Sequence, residues 1–137
     1  MIVDTSALAA IIFGEPGVQP LLAALRSEPG IIITPVLVEL RRVTALALNR
    51  PSRAVDDLLS ELALARIVIA PFSAAAAYAA VAANARYGSK GGLGGPLNML
   101  DLMVYGAAKD AALPILCTGN DFASTDALIH PASRRDT

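Results

Sequence analysis

Four short apolar runs, at residues 1–4, 31–34, 66–70 and 114–118, constrain this chain more than any other feature. Each is rich in Ile, Val or Leu and lacks polar alternation, the pattern of a strand covered on both faces. Between them lie helical patterns at residues 18–27, 35–49, 52–65, 73–87 and 98–112. Thr34 before Pro35 supplies an N-cap and a first-turn proline. Asn49 and Pro51 separate two helices, and Ser73 caps the next. Strands alternating with helices predict an α/β fold with a central parallel sheet of four to five short strands and helices on both sides. The fifth strand is expected near residues 127–130. With no repeat and no linker, the whole span 1–137 is expected to form one domain with one core.

The carboxylates are unevenly placed. Asp56, Asp57, Glu61, Asp110 and Asp136 fall among polar neighbours or on helix surfaces and need no account beyond solubility. Four others sit in or beside apolar segments. Asp4 ends the first run, and Glu39 lies in Val36-Leu37-Val38-Glu39-Leu40. Asp101 lies in Met99-Leu100-Asp101-Leu102-Met103, and Asp121 follows the last run through Gly119-Asn120. A buried, unpaired carboxylate costs several kcal/mol or takes up a proton, so four of them call for a shared cation or for basic partners.

Topology brings the four together. Parallel α/β sheets bind ligands beyond the carboxyl ends of their strands. Asp4 and Asp121 follow such ends, while Glu39 and Asp101 lie early in helices that start on that edge. Oxygen-only ligation suits Mg²⁺, with Mn²⁺ as the alternative. Such an ion activates water and neutralises charge on a phosphate under attack, so the cluster points to phosphodiester chemistry. Each acid also has a structural reading: a turn start for Asp4, pairing with Arg41 or Arg42 for Glu39, a helix N-terminal acid for Asp101 and a turn residue for Asp121.

These residues resemble the motifs of the PIN-domain family, in particular its VapC toxins. Ile2-Val3-Asp4-Thr5-Ser6 is similar to the family's opening, and Thr34-Pro35 through Glu39 to Leu40-Arg41-Arg42 to its second motif. Leu97-Asn98-Met99-Leu100-Asp101 resembles the third. Cys117-Thr118-Gly119-Asn120-Asp121-Phe122, followed by Thr125-Asp126, resembles the last. Asn120 stands where many relatives carry a second acid, and Leu100 where many carry glycine. The resemblance implies a metal-dependent endoribonuclease, the toxin of a toxin–antitoxin pair, with RNA as substrate, a cognate antitoxin as partner and a homodimer as its assembly. It implies Asp4 and Asp101 as direct metal ligands and Glu39 and Asp121 as ligands directly or through water. Thr5 or Ser6 would orient Asp4 or meet a phosphate oxygen, and Asn98 would hold Asp101.

Composition limits the alternatives. Eleven basic and twelve acidic side chains give a formal charge of −1, so RNA contact must be local rather than a basic coat. The 55 % hydrophobic fraction predicts surface covered by a partner. Cys117, the only cysteine, leaves no disulfide or thiolate zinc site and fits a reducing cytoplasm. The acidic start Met1-Ile2-Val3-Asp4 is unlike a signal peptide, and Pro71 and Ser73 interrupt the uncharged stretch 67–85, so no membrane span is expected.

Lesser candidates have structural readings. His130 lies far from every acidic motif, and Cys117 is buried packing. The glycine-rich stretch 88–95 is a flexible loop or a flap carrying Lys90 to a phosphate. Arg41, Arg42, Arg50 and Arg53 are solvated charge or an RNA contact. A haloacid-dehalogenase phosphatase needs an acid where Ser6 stands, and a phosphorelay receiver needs an acidic pair and a late lysine that are absent. The surviving rival is a catalytically degenerate PIN-like module that binds RNA or protein. Val36, Leu40, Val43, Leu46, Leu58, Leu59 and Leu62 predict an apolar groove between helices 35–49 and 52–65, expected to receive an antitoxin helix.

Overall fold

The computed structural model describes residues 1–48, 53–91 and 93–136. Its strands are β1 (Ile2–Val3), β2 (Gly30–Ile33), β3 (Ile67–Ala70) and β4 (Ile115–Leu116). They form one parallel sheet in the order β3-β2-β1-β4, with Ile2 opposite both Ile31 and Ile115. The apolar runs are buried as expected: Ile2, Val3, Ile32, Ile115 and Leu116 are almost wholly inaccessible. The ladder between β1 and β4 extends past the named strands, with the Asp4 amide donating to the Leu116 carbonyl at 2.9 Å. The expected fifth strand is reduced to a single parallel bridge between Ile115 and Ile129.

Six helices cover the sheet: α1 (Thr5–Ile12), α2 (Gln19–Ser27), α3 (Thr34–Leu48), α4 (Arg53–Leu64), α5 (Ala74–Tyr87) and α6 (Met99–Ala111). Ser73 caps α5 by accepting from the Ala76 amide at 3.1 Å. Thr34 is the first residue of α3, followed by Pro35 in its first turn. The expected break at Asn49 and Pro51, the helix start at Ser52, and Arg50 lie outside the described residues. Helix α1 was not foreseen. Its sequence, TSALAAII, buries Thr5, Ala7, Leu8 and Ala10 and has no polar face to reveal a helical period.

Close approach of α5 and α6 depends on Gly106. A Cβ there would fall 2.3 Å from the Ala76 carbonyl oxygen, a backbone atom that has no rotamer by which to move aside. Helix α6 ends with Ala112 in the left-handed region at φ 53°, ahead of Pro114.

Candidate active site

The acidic edge starts with Asp4. It leaves β1 buried and becomes the N-cap of α1. Its Oδ2 accepts the Ser6 amide at 3.1 Å and the Ser6 hydroxyl at 2.5 Å. The Ser6 Oγ in turn accepts the Thr118 amide at 3.0 Å, which ties the start of α1 to the segment leaving β4. Ser6 therefore fixes the orientation of Asp4. The Thr5 hydroxyl beside it is buried without any hydrogen-bond partner.

Asp101 is the third residue of α6 and half-buried. Asn98 and Asp101 form a reciprocal capping box: the Asp101 amide donates to Asn98 Oδ1 at 2.9 Å, and the Asn98 amide donates to Asp101 Oδ2 at 3.0 Å. Asn98 thus holds Asp101 in place at the N-terminus of α6. Glu39 is half-buried in α3, and Asp121 is exposed at the start of a 3-10 turn, Asp121–Ser124.

Electrostatics join the four. Burial pushes the Asp4 carboxyl above its usual range; the Ser6 hydrogen bonds pull it down, and the Glu39 charge raises it further. Burial raises Asp101 to about 7, offset by its bond to the Asn98 amide and reinforced by the charges of Asp4, Asp121 and Glu39. Among the described residues, none of the four is in an ion pair. Arg41, offered above as a partner for Glu39, pairs with Asp56 at 2.5 Å instead. The set is therefore acid facing acid. Among the described residues no three His, Cys, Asp or Glu side chains lie close enough, as they stand, to form a ligand set for a metal ion.

With this geometry the comparisons with known proteins are unambiguous. Residues 1–128 match the model of the PIN domain. The chain belongs to the PIN-domain family. Ribonuclease VapC42 of Mycobacterium tuberculosis is 38 % identical to it over 135 residues, covering 96 % of this chain and 98 % of that one. Among solved structures, a toxin–antitoxin complex from Klebsiella pneumoniae matches with a TM-score of 0.69 at 20 % identity, covering 95 % of this chain and 96 % of the other. The sarcin–ricin-loop-cleaving toxin VapC20 of M. tuberculosis matches at 0.67 and 16 % identity, over 93 % and 95 %. At those identities the two structures show the fold.

As a PIN domain, the chain departs from the sequence expectations in several places. Val36, Leu40, Leu58 and Leu62, expected to line a groove between α3 and α4, are buried in the core. An apolar groove of about 860 Å³ lies instead between α3 and α6, lined by Val38, Val43, Leu46, Leu100 and Met103, with Glu39 and Arg42 in its wall. Val38 and Leu46 are 62 % and 85 % exposed. Both grooves share α3, but sequence alone did not reveal which neighbour faces its exposed stripe. The loop bearing Lys90 is tied by backbone bonds, Gly95 to Gly88 at 2.9 Å and Ser89 to Leu97 at 2.8 Å, and the charges that principally act on Asp101 are the other acids, not Lys90. Gly92 lies outside the described residues.

His130 is structural: buried, its Nδ1 accepts the Ala132 amide at 3.1 Å, and its Nε2 meets Glu28 at 2.8 Å. Burial pushes the Cys117 thiol up to about 11, which leaves it unreactive. The residue whose role the sequence did not show is Asp126. It accepts from the Tyr105 hydroxyl at 2.5 Å and from Lys109 Nζ at 3.0 Å, which locks the segment after the 3-10 turn onto α6.

Proposed function

We propose that this chain is the toxin of a toxin–antitoxin pair, an endoribonuclease that uses Mg²⁺ or Mn²⁺. The observation that carries the reading is that Asp4, Glu39 and Asp121 all act electrostatically on Asp101, and Glu39 on Asp4, while among the described residues no cation pairs with any of them. An all-oxygen donor set fits a hard divalent ion, and the buried, unpartnered Thr5 hydroxyl beside Asp4 offers it one more oxygen or meets a substrate phosphate. Asp4 and Asp101 would hold the ion, with Glu39 and Asp121 completing the pocket directly or through water. When bound, such an ion supplies water activation and charge neutralisation at phosphorus.

The chain's own residues do the positioning. Ser6 and Asn98 fix the two proposed ligands before substrate arrives. Asp101, raised to about 7 without metal, would be held as the carboxylate by a bound cation. Attack by water rather than by the ribose 2′-hydroxyl leaves 5′-phosphate and 3′-hydroxyl ends.

The same reading supplies partners and location. An antitoxin is supported by the toxin–antitoxin complex among the structural neighbours. Its place would be the α3–α6 groove, whose apolar floor suits an amphipathic helix and whose Glu39 wall suits a basic residue after it. A homodimer accounts for apolar side chains left exposed elsewhere, such as Val68 and Ile69 on β3. A cytoplasmic setting suits a chain whose one cysteine, Cys117, is buried and unpaired. Among the described residues no helix is long and apolar enough to cross a membrane.

The test is cleavage of RNA by purified protein with Mg²⁺, with excess chelator, and with Asp4→Asn. Metal-dependent cleavage lost in the variant supports the nuclease. RNA binding without cleavage in any metal supports the degenerate binding module instead.

A further inference from the structure

Beside the acidic edge lies a pocket of opposite character. It measures about 270 Å³ and is lined by Arg86, Tyr87, Tyr105, Lys109 and Asp126, with alanines of α5 behind them. The two tyrosine rings sit 5.6 Å apart, tilted by 57°. The Arg86 guanidinium lies 4.9 Å over Tyr87, and Lys109 Nζ lies 5.8 Å from the centre of Tyr105. Both cations are exposed.

Their charges are not balanced. Asp126 is the one acid lining the pocket, and it is already engaged by the Tyr105 hydroxyl and Lys109. Among the described residues Arg86 makes no ion pair. Two cations against one carboxylate leave a net positive pocket on a chain whose formal charge is −1. A guanidinium stacked on a ring keeps its in-plane N–H donors available, and those donors match a phosphate.

The pocket is tied to the acidic edge by two stretches of chain. Tyr105 and Lys109 follow Asp101 on α6 by four and eight residues, about 6 and 12 Å along the axis at about 1.5 Å per residue. Asp126 follows Asp121 through the 3-10 turn. A strand whose phosphate lies at Asp101 would therefore pass an anion site within a short run of nucleotides.

We propose that Arg86 and Lys109 form a subsite for a backbone phosphate of the RNA strand, flanking the phosphate that is cut. This rests on the nuclease reading above. Such a contact sets register and affinity without reading sequence. It also explains how a chain with no basic coat holds a polyanion beside four carboxylates.

The experiment measures binding of a short, mixed-sequence, single-stranded oligoribonucleotide to the full chain carrying Asp4→Asn, so that the RNA survives. Affinity is followed against salt with Arg86 intact and as Arg86→Lys, Arg86→Ala and Arg86→Glu, each checked for its unfolding midpoint. Arg86→Glu should weaken binding at least about tenfold. Arg86→Ala should weaken it less and flatten the salt slope by about 0.7, the value of one lost single-strand phosphate contact. Arg86→Lys should keep most of the affinity. Lys109→Gln provides a second route to the same loss should an Arg86 variant fail to fold.

Equal affinity and slope in all variants, or no RNA binding at all, overturns the subsite. So does a variant set that keeps RNA but loses an acidic protein partner, because the pocket is then a protein contact. Cleavage by the unsubstituted chain separates the two readings. Cleavage with Arg86-independent binding removes the subsite and leaves the nuclease. Arg86-dependent binding without cleavage in any metal keeps the subsite and removes the nuclease.

Discussion

Asp101 and Asp126 lie within reach of the same helix and are held in opposite ways. Asp101 faces Asp4, Glu39 and Asp121, and burial with that repulsion raises it to about 7. Asp126 faces the Tyr105 hydroxyl and Lys109, which hold its carboxyl below the usual range. One region is an acid cluster with no ion pair among the described residues; the other is a satisfied network that has a cation to spare. Both carry carboxylates beside apolar sequence, and partners rather than residue type decide whether an aspartate is a ligand in waiting or a lock.

The sharpest way to break this comparison is to remove one acid from each region. Asp101→Asn should reduce RNA cleavage at least about a hundredfold, on the order of 2.7 kcal/mol of transition-state stabilisation, while leaving the metal-free protein at least as stable as before, since it relieves repulsion. Asp126→Asn should do the reverse: cleavage largely retained, stability lowered by about 1 kcal/mol for a partly exposed, charge-assisted contact. Cleavage assays and denaturant midpoints on both variants check the pair; a similar profile for the two would erase the distinction.

Gly106→Ala should affect both regions. The added Cβ must push α5 from α6, at a cost of about 1–3 kcal/mol. Because Asp101 and Arg86 ride on those helices, cleavage and RNA affinity should fall with the unfolding midpoint.

Acidity should distinguish the regions by sign. Asp101 holds its proton in the folded, metal-free chain up to about 7, above its usual 3.8. The folded state therefore binds more protons across that window, and stability falls as pH rises through it. Asp126 is shifted down, so its contribution is present above the ordinary aspartate range and is lost as pH falls below it. Unfolding midpoints at pH 5 and 8 without metal should show higher stability at pH 5, and Asp101→Asn should flatten the difference.

The smallest expected effect lies outside both regions. Ala112 adopts the left-handed conformation that glycine enters freely. Ala112→Gly should stabilise the chain by about 0.5–1 kcal/mol with cleavage unchanged; thermal midpoints and the RNA assay together check it.

The apolar runs marked the parallel sheet, and the acids out of place marked the edge where Asp4, Glu39 and Asp121 act on Asp101, because both signals are local. Signals that depend on packing were hidden. Helix α1 has no polar face, so its period was invisible until Leu8 and Ala10 met the core. Val43 and Leu46 pointed to a groove on α3 without declaring that α6 faces it. Asp126 looked like one more polar residue after a turn, since Tyr105 and Lys109 come from a helix that starts 27 residues earlier. The Thr5 hydroxyl became informative only once burial showed it unpartnered.

The central claim is that Asp4, Glu39, Asp101 and Asp121 form a repelling set that seeks a divalent cation. The most direct test is the thermal midpoint of the full chain at about pH 7.5, titrated with Mn²⁺ and compared with Asp4→Asn and Asp101→Asn. The account predicts a low midpoint without metal, a saturable rise of several degrees with Mn²⁺ in the unsubstituted chain, and loss of that rise in either variant. A midpoint that ignores Mn²⁺, or rises equally in all three proteins, would contradict it.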